Sequence, residues 1–131
     1  MSRVGEYMSA RIVSISPDQY AYEAIDEMCE NNVSALLVKE GGEYVGIITK
    51  TDWMSFFQNG ECDTNEVKVV SLMTKIENTI DANESISEAG DIVKKKHIRH
   101  IPVTRGGKVV GMFSIKDLEK YYLELHRLTK L

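Results

Sequence analysis

Two stretches of the chain place a hydroxyl side chain three residues before an aspartate. Gly46-Ile-Ile-Thr-Lys-Thr-Asp52 is repeated in similar form as Gly111-Met-Phe-Ser-Ile-Lys-Asp117. Each begins as a buried strand and continues as a helix, and in one interpretation Thr49 or Ser114 caps that helix, with the aspartate at the third helical position. In another interpretation, the ionised carboxylate accepts hydroxyl groups of a ligand, and free amide groups at the helix start hold an anion.

Both stretches belong to a longer internal repeat. A shift of 65 residues lays Val4–Phe57 on Val69–Tyr122 without a gap. The matched pairs that are identical are Val4/Val69, Met8/Met73, Ile15/Ile80, Glu23/Glu88, Ala24/Ala89, Asp26/Asp91, Val38/Val103, Gly41/Gly106, Gly42/Gly107, Val45/Val110, Gly46/Gly111 and Asp52/Asp117. We therefore predict two copies of one structural unit, residues 1–58 and 67–131, joined by a polar linker at residues 59–66.

Within each copy, the apolar pattern predicts a short strand, a helix, a hairpin and a second helix. The first strands are expected at residues 12–15 and 76–80, and the helices that follow them show apolar residues at helical spacing. Gly41-Gly42 and Gly106-Gly107 supply the positive φ angles of tight hairpin turns. The last helix, from about Ile115 to Leu131, carries an apolar stripe, for which core packing and self-association are equal alternatives. That stripe consists of Leu118, Tyr121, Tyr122, Leu125 and Leu128.

Composition and charge argue against several classes of function. The net charge of −4 disfavours a nucleic-acid binder that relies on attraction to phosphates. No apolar run reaches the roughly 20 residues of a membrane span. Cys29 and Cys62 are single thiols, buried or incidental, and no carboxylate or cysteine pattern completes a zinc site around His97 and His100. With no nucleophile–base pair either, we expect a cytoplasmic protein that is not an enzyme and holds no metal.

The gapless tandem resembles a pair of cystathionine-β-synthase-type (CBS) domains, a Bateman module. The resemblance covers Val4–Tyr122. Its main feature is the motif G-h-h-[ST]-x-x-D at the end of each hairpin, in which h is a large apolar residue. The other shared features are Met8-Ser9, Met73-Thr74, Ser16-Pro17-Asp18 and Ile101-Pro102-Val103. It implies an α+β fold of two β-α-β-β-α repeats packed as a pseudo-twofold pair. It also implies a stand-alone regulator of a separate target protein that senses ligands, most often adenine nucleotides.

The resemblance also implies roles for particular residues. Asp52 and Asp117 would accept ribose hydroxyls, and Thr49 and Ser114, with the free amides of the helix starts, would hold phosphate oxygens. The remaining expected contacts, which form the base slots, are Val13, Val33, Ser34 and Ala35 in the first repeat and Asn78 and Ile98 in the second.

Cations for the phosphates have to come from another part of the chain, because an aspartate beside them is repulsive. By the same resemblance, Arg99 and His100 would serve the Asp52 site, whereas their counterparts Ser34 and Ala35 bring no charge. Pairing of Arg99 with a surface carboxylate is the alternative. We therefore expect unequal sites, with binding at Asp117 the weaker.

The expected ligand is AMP, ADP or ATP, held between the two repeats. The alternatives are a ligand-free structural or dimerisation module and a binder of S-adenosylmethionine or NAD. We also expect a homodimer formed by the helices that follow Thr49 and Ser114. Its face would include Phe56, Phe57, Tyr121 and Tyr122, because aromatic residues at matched positions suggest a self-complementary surface.

Overall fold

The computed structural model describes residues 2–60 and 63–129, so Cys62 and the predicted end of the last helix at residues 130–131 lie outside the described residues. The elements are, in order, α1 (Val4–Tyr7), β1 (Ser14–Ile15), α2 (Ala21–Asn31), β2 (Ala35–Glu40), β3 (Glu43–Thr49), α3 (Lys50–Gln58), α4 (Val69–Leu72), β4 (Thr74–Lys75), β5 (Ile80–Asp81), α5 (Ile86–Lys96), β6 (His100–Arg105), β7 (Lys108–Ser114) and α6 (Ile115–Thr129).

The predicted α+β class and the order strand, helix, hairpin, helix are confirmed in both repeats. One sheet has the order β1-β2-β3-β4 and the other the order β5-β6-β7. In each sheet the first strand runs parallel to the second, and the hairpin is antiparallel. Both residues of each glycine pair have positive φ, 58° and 84° in the first hairpin and 61° and 79° in the second, as the tight turn requires.

The short strand that opens each repeat differs from the prediction. β1 covers Ser14–Ile15 and β5 covers Ile80–Asp81, so both are shorter than the apolar pattern suggested. In the second repeat, the residues before β5 are engaged elsewhere. Thr74 and Lys75 form β4, which pairs with β3, and the Ile76 amide donates to the Val45 carbonyl at 3.4 Å. The backbone groups of residues 74–76 are thus hydrogen-bonded to β3 of the first repeat.

The chain forms two compact units that do not coincide with the sequence repeats. The first unit is residues 13–77, and the second unit is residues 1–12 together with residues 78–131. Each unit therefore contains the body of one repeat and the leading segment of the other. The position of the repeat boundaries at residues 58 and 67 remains a prediction.

Equivalent backbone hydrogen bonds attach the leading segment in each unit. The Val4 amide donates to the Glu84 carbonyl at 2.9 Å, and the Val69 amide donates to the Gln19 carbonyl at 2.8 Å. These are the same pair of positions, displaced by one repeat. α1 and α4, at four residues each, are too short to be stable alone, so these bonds and the burial of Val4 and Val69 hold them.

Each unit has its own apolar core under its sheet. The core of the first unit consists of Ile15, Ala24, Met28, Leu36, Val38, Ile48 and Val69. The core of the second unit consists of Val4, Ile80, Ala82, Ile86, Ala89, Ile101, Val103, Phe113 and Leu118. Val69 belongs to the first core and its repeat equivalent Val4 to the second, so each core includes a residue from the leading segment of the other repeat.

The apolar stripe of α6 divides into two parts. Leu118 joins the core of the second unit, and Tyr121 packs partly buried against it. Beyond that point, Tyr122, Leu125 and Leu128 are 50%, 43% and 68% exposed. Core packing therefore accounts for the first half of the stripe alone. No helix in the described part of the chain is both long and apolar enough to cross a bilayer.

Candidate functional site

The hydroxyl and carboxylate of each repeated motif meet at the start of a helix. Thr49 ends β3 and precedes α3, and its backbone amide donates to Asp52 Oδ2 at 2.7 Å while its hydroxyl donates to the same oxygen at 3.4 Å. In the second unit, the amide and hydroxyl of Ser114 donate to Asp117 Oδ2 at 2.8 and 3.2 Å. Each carboxylate thus caps its helix through Oδ2, and Oδ1 takes no part in the cap.

Strand pairing places the other expected contacts beside these helix starts. Ala35 pairs with Thr49 at the end of the first hairpin, and His100 pairs with Ser114 at the end of the second. The residues just before β2 and β6 therefore lie at the same edge of each sheet as the hydroxyl and the carboxylate. Hairpin register alone brings these positions together.

The first unit gathers six of the predicted site residues. The Val13 carbonyl accepts from the Leu37 amide at 3.0 Å, and the Val33 amide donates to the Met28 carbonyl at 3.1 Å. Both side chains are partly buried against the core, next to the strand that begins at Ala35. The six residues are Val13, Val33, Ser34, Ala35, Thr49 and Asp52, which form an apolar edge with one carboxylate and two hydroxyls.

The other six predicted residues lie in the second unit: Asn78, Ile98, Arg99, His100, Ser114 and Asp117. The Arg99 carbonyl accepts from the Ile115 amide at 2.9 Å, which ties this segment to the start of α6. The Arg99 side chain is exposed and His100 is partly buried. Their service to the Asp52 site remains a prediction.

A residue outside the predicted set contacts Asp52. The Thr74 hydroxyl, at the start of β4, donates to Asp52 Oδ1 at 2.6 Å, although the two residues are 22 positions apart. The signal in the sequence was the recurrence of a hydroxyl residue after each leading methionine, Ser9 and Thr74. No local pattern indicated that Thr74 packs on the preceding repeat.

Methionine packing fixes the position of this segment. A Cβ atom on Gly46 would lie 2.4 Å from Met73 Sδ, and one on Gly111 would lie 2.6 Å from Met8 Sδ. The methionine side chain of each leading segment therefore packs directly against the glycine of a repeated motif. Met73 on Gly46 brings the next residue, Thr74, to Asp52.

An open cavity of about 600 Å³ lies between α3 and α4 of the first unit, with Asp52 in its lining. Its walls mix polar and apolar groups, so the cavity could admit a polar ligand. The lining residues are Asp52, Ser55, Phe56, Asn59, Glu66, Val67, Lys68, Val70, Ser71 and Leu72. Next to it, Trp53 is anchored by its indole N–H, which contacts Met28 Sδ at 3.0 Å.

The described residues hold no group of three or more His, Cys, Asp or Glu side chains suited to a metal ion. Cys29 is exposed, which excludes the buried alternative for this thiol and leaves the incidental one. Its place on the outer face of α2 explains its exposure, because the buried face of this helix is formed by Ala21, Ala24 and Met28.

Comparison with known sequences gives the same family for both repeats. The family model for the CBS domain matches residues 4–59 and 69–124. The uncharacterized 17.7 kDa protein in the bps2 3′ region of Acidianus ambivalens is 29% identical over 127 residues, which cover 95% of this chain and 76% of that protein. CBSX3, a mitochondrial CBS domain-containing protein of Arabidopsis thaliana, is 32% identical over 84% of this chain, and the match spans 56% of that relative.

Solved structures share the fold over nearly the whole chain. A putative signal-transduction protein with CBS domains from Burkholderia ambifaria MC40-6 has a TM-score of 0.87 at 27% identity, covering 94% of this chain and 95% of that one. CBSX2, solved in complex with AMP, has a TM-score of 0.79 at 20% identity and covers 96% of this chain and 99% of its own. At that identity the second likeness bears on the fold alone.

Proposed function

Because the chain belongs to the CBS-domain family as a tandem pair, we propose that it is a regulatory module whose ligand is an adenine nucleotide: AMP, ADP or ATP. The observation that carries the proposal is the carboxylate and hydroxyl pair at the start of α3, beside an apolar sheet edge. Asp52 offers acceptor positions to ribose hydroxyls, Val13 and Val33 offer apolar surface to a base, and the start of α3 offers backbone amides to a phosphate.

A neighbour with the same tandem architecture was solved in complex with AMP, so this fold is able to hold an adenine nucleotide. The same geometry accommodates the adenosine part of S-adenosylmethionine or NAD, which remain alternative ligands. A module that only dimerises is the second candidate. It is favoured by the engagement of both Asp52 oxygens within the protein. In this role the chain binds the ligand and leaves it chemically unchanged.

Calorimetric titration of paired variants tests the proposal. Asn in place of Asp keeps an oxygen to cap each helix but removes the charge that strengthens hydrogen bonds from ribose. We expect Asp52→Asn to weaken AMP about ten- to a hundredfold, while Asp117→Asn leaves the tighter binding largely intact. The matched aspartates serve as each other's control. Absence of heat with AMP, ADP, ATP, S-adenosylmethionine and NAD at millimolar concentration would reject ligand binding.

Arg99→Ala tests the origin of the phosphate charge. If Arg99 serves the Asp52 site, this change should weaken AMP strongly and adenosine hardly at all, because adenosine has no phosphate to hold. An equal loss for both ligands would place Arg99 in the fold or the base slot and overturn its assignment to phosphate.

A further inference from the structure

The hydrogen bonds already made by Asp52 limit what a ligand can add. A carboxylate offers about four acceptor positions, two on each oxygen. Oδ2 accepts the amide and the hydroxyl of Thr49, and Oδ1 accepts the hydroxyl of Thr74. A ribose that presents two hydroxyls to this carboxylate therefore finds one position open and needs a second.

Thr49 and Thr74 differ in what release of their hydrogen bonds costs the fold. Losing the Thr49 amide bond would uncap α3, and caps of this kind contribute about 1 kcal/mol. The Thr74 hydroxyl is exposed, so rotation of its side chain replaces Asp52 with water at little cost. Thr74 is the donor that a ligand can displace.

The backbone on both sides of Thr74 is held independently of this bond. Met73 rests on Gly46, Lys75 pairs with Gly46 in the sheet, and the Ile76 amide donates to the Val45 carbonyl. The segment therefore keeps its place when the hydroxyl turns away. Displacement requires a change of rotamer at one side chain and leaves β4 paired.

The internal repeat provides a matched site without this bond. Ser9 stands at the position equivalent to Thr74, but its hydroxyl accepts from the Arg11 amide at 3.3 Å. Among the described residues, the hydrogen bonds of Asp117 come from Ser114 alone, and its Oδ1 accepts none. Of the two aspartates, Asp52 is thus the one whose Oδ1 accepts a hydrogen bond from a described residue.

From these observations we infer that the Thr74 hydroxyl occupies the place on Asp52 that a ribose hydroxyl takes, and that it controls the affinity of this site for ligands with a 2′,3′-diol. The inference rests on the proposed function. In the ligand-free protein Thr74 satisfies Oδ1, and a nucleotide exchanges that hydroxyl for its own. Because Thr74 belongs to the leading segment of the second repeat, occupation of the Asp52 site alters a contact between the two repeats' sequences.

Titration of Thr74→Val with AMP and with 2′-deoxy-AMP tests this inference. Valine keeps the shape and the preference for a strand but has no hydroxyl. We expect AMP to bind about three- to tenfold more tightly, since the competing donor is gone. The gain in affinity should be smaller for 2′-deoxy-AMP, because its single ribose hydroxyl can use the acceptor position of Asp52 that is already open in the wild type. Thr74→Ser retains the competing hydroxyl and should bind as the wild type does, and so should Ser9→Ala.

Each result separates the inference from the proposed function. If neither the wild type nor Thr74→Val binds AMP, the proposed function fails and the inference falls with it. If the wild type binds AMP and Thr74→Val binds it equally or less tightly, the inference alone is overturned, and Thr74 orients Asp52 instead. Tighter binding by both Thr74→Val and Ser9→Ala would also overturn it, since the effect would then not depend on Asp52.

Discussion

At Asp52, the helix cap uses one oxygen of the carboxylate, and the proposed ligand would use the other. Oδ2 accepts from Thr49 at the start of α3, whereas Oδ1 faces Thr74. The two interpretations of the motif are therefore compatible. The helix cap fixes the rotamer of the aspartate, and a fixed carboxylate loses less conformational entropy when it binds a ligand.

Gly46 and Gly111 show how closely the leading methionines approach the sheet. At Gly111 an added Cβ would meet Met8 Sδ at 2.6 Å and also the Ser9 backbone oxygen at 2.7 Å. At Gly46 the contacts within reach of an added Cβ are atoms of the Met73 side chain. A flexible side chain can move, whereas a backbone oxygen in a bridge to Met112 cannot do so without losing hydrogen bonds.

We predict that Gly111→Ala destabilises the protein by about 2–3 kcal/mol and that Gly46→Ala costs about 1 kcal/mol less. Urea unfolding of the two variants measures the difference. Shortening of Met73 to Ala beside Gly46→Ala should recover part of the loss, while Met8→Ala beside Gly111→Ala should recover less because Ser9 remains. Equal costs at both positions would contradict the backbone explanation.

At the scale of elements, α1 and α6 are joined by a polar contact whose equivalent the described residues of the first unit do not make. The Tyr7 hydroxyl donates to Glu124 Oε2 at 2.5 Å, and its ring meets Tyr121 edge-on with centroids 5.5 Å apart. One repeat away, the corresponding residues are Leu72, Asn59 and Phe56. These three residues line the open cavity between α3 and α4.

This contact should make stability depend on alkaline pH. The hydrogen bond to Glu124, together with desolvation, raises the pKa of Tyr7 from 10.0 to about 12. Since the folded state favours the protonated phenol, this stabilisation is complete below pH 10 and is lost as the pH rises toward 12. Tyr7→Phe should therefore show a weaker fall in melting temperature between pH 10 and 12 than the wild type. Identical profiles would exclude the linkage. Tyr44→Phe, which removes a phenol hydroxyl from β3, is the control.

At the scale of the whole molecule, exposed aromatic residues at matched positions support the predicted homodimer. Phe57 and Tyr122 are 47% and 50% exposed, one repeat apart. Phe56 and Tyr121 pack within their own units, so the predicted face is reduced to the other two residues and the exposed leucines of α6. The dimer itself remains a prediction.

Light scattering at micromolar concentration should give about twice the monomer mass, because a self-complementary apolar face favours a twofold pair. Phe57→Glu and Tyr122→Glu should each shift the mass toward the monomer by placing charge in that face. Tyr22→Glu, at an exposed aromatic residue on α2, is the matched control. A wild-type monomer over a hundredfold concentration range would reject the dimer.

The sequence by itself determined those features that depend on residues close in the chain. The repeat, both glycine hairpins, the helices after them and the pairing of Thr49 with Asp52 follow from turn chemistry, apolar period and capping, all of which act over a few residues. The register of the first hairpin sets Ala35 opposite Thr49, next to Val33 and Asp52, because a tight turn leaves little freedom of pairing. Val13 reaches this edge through the parallel pairing of β1 with β2.

Only the tertiary structure decided which repeat each leading segment joins. The bonds of Val4 to Glu84 and of Val69 to Gln19 connect positions far apart in the chain, and the contact of Thr74 with Asp52 follows from them. Both repeats present the same apolar pattern, so packing of a leading segment on its own body or on the other one satisfies that pattern equally. The choice depends on three-dimensional fit, such as Met73 on Gly46, which no local period encodes.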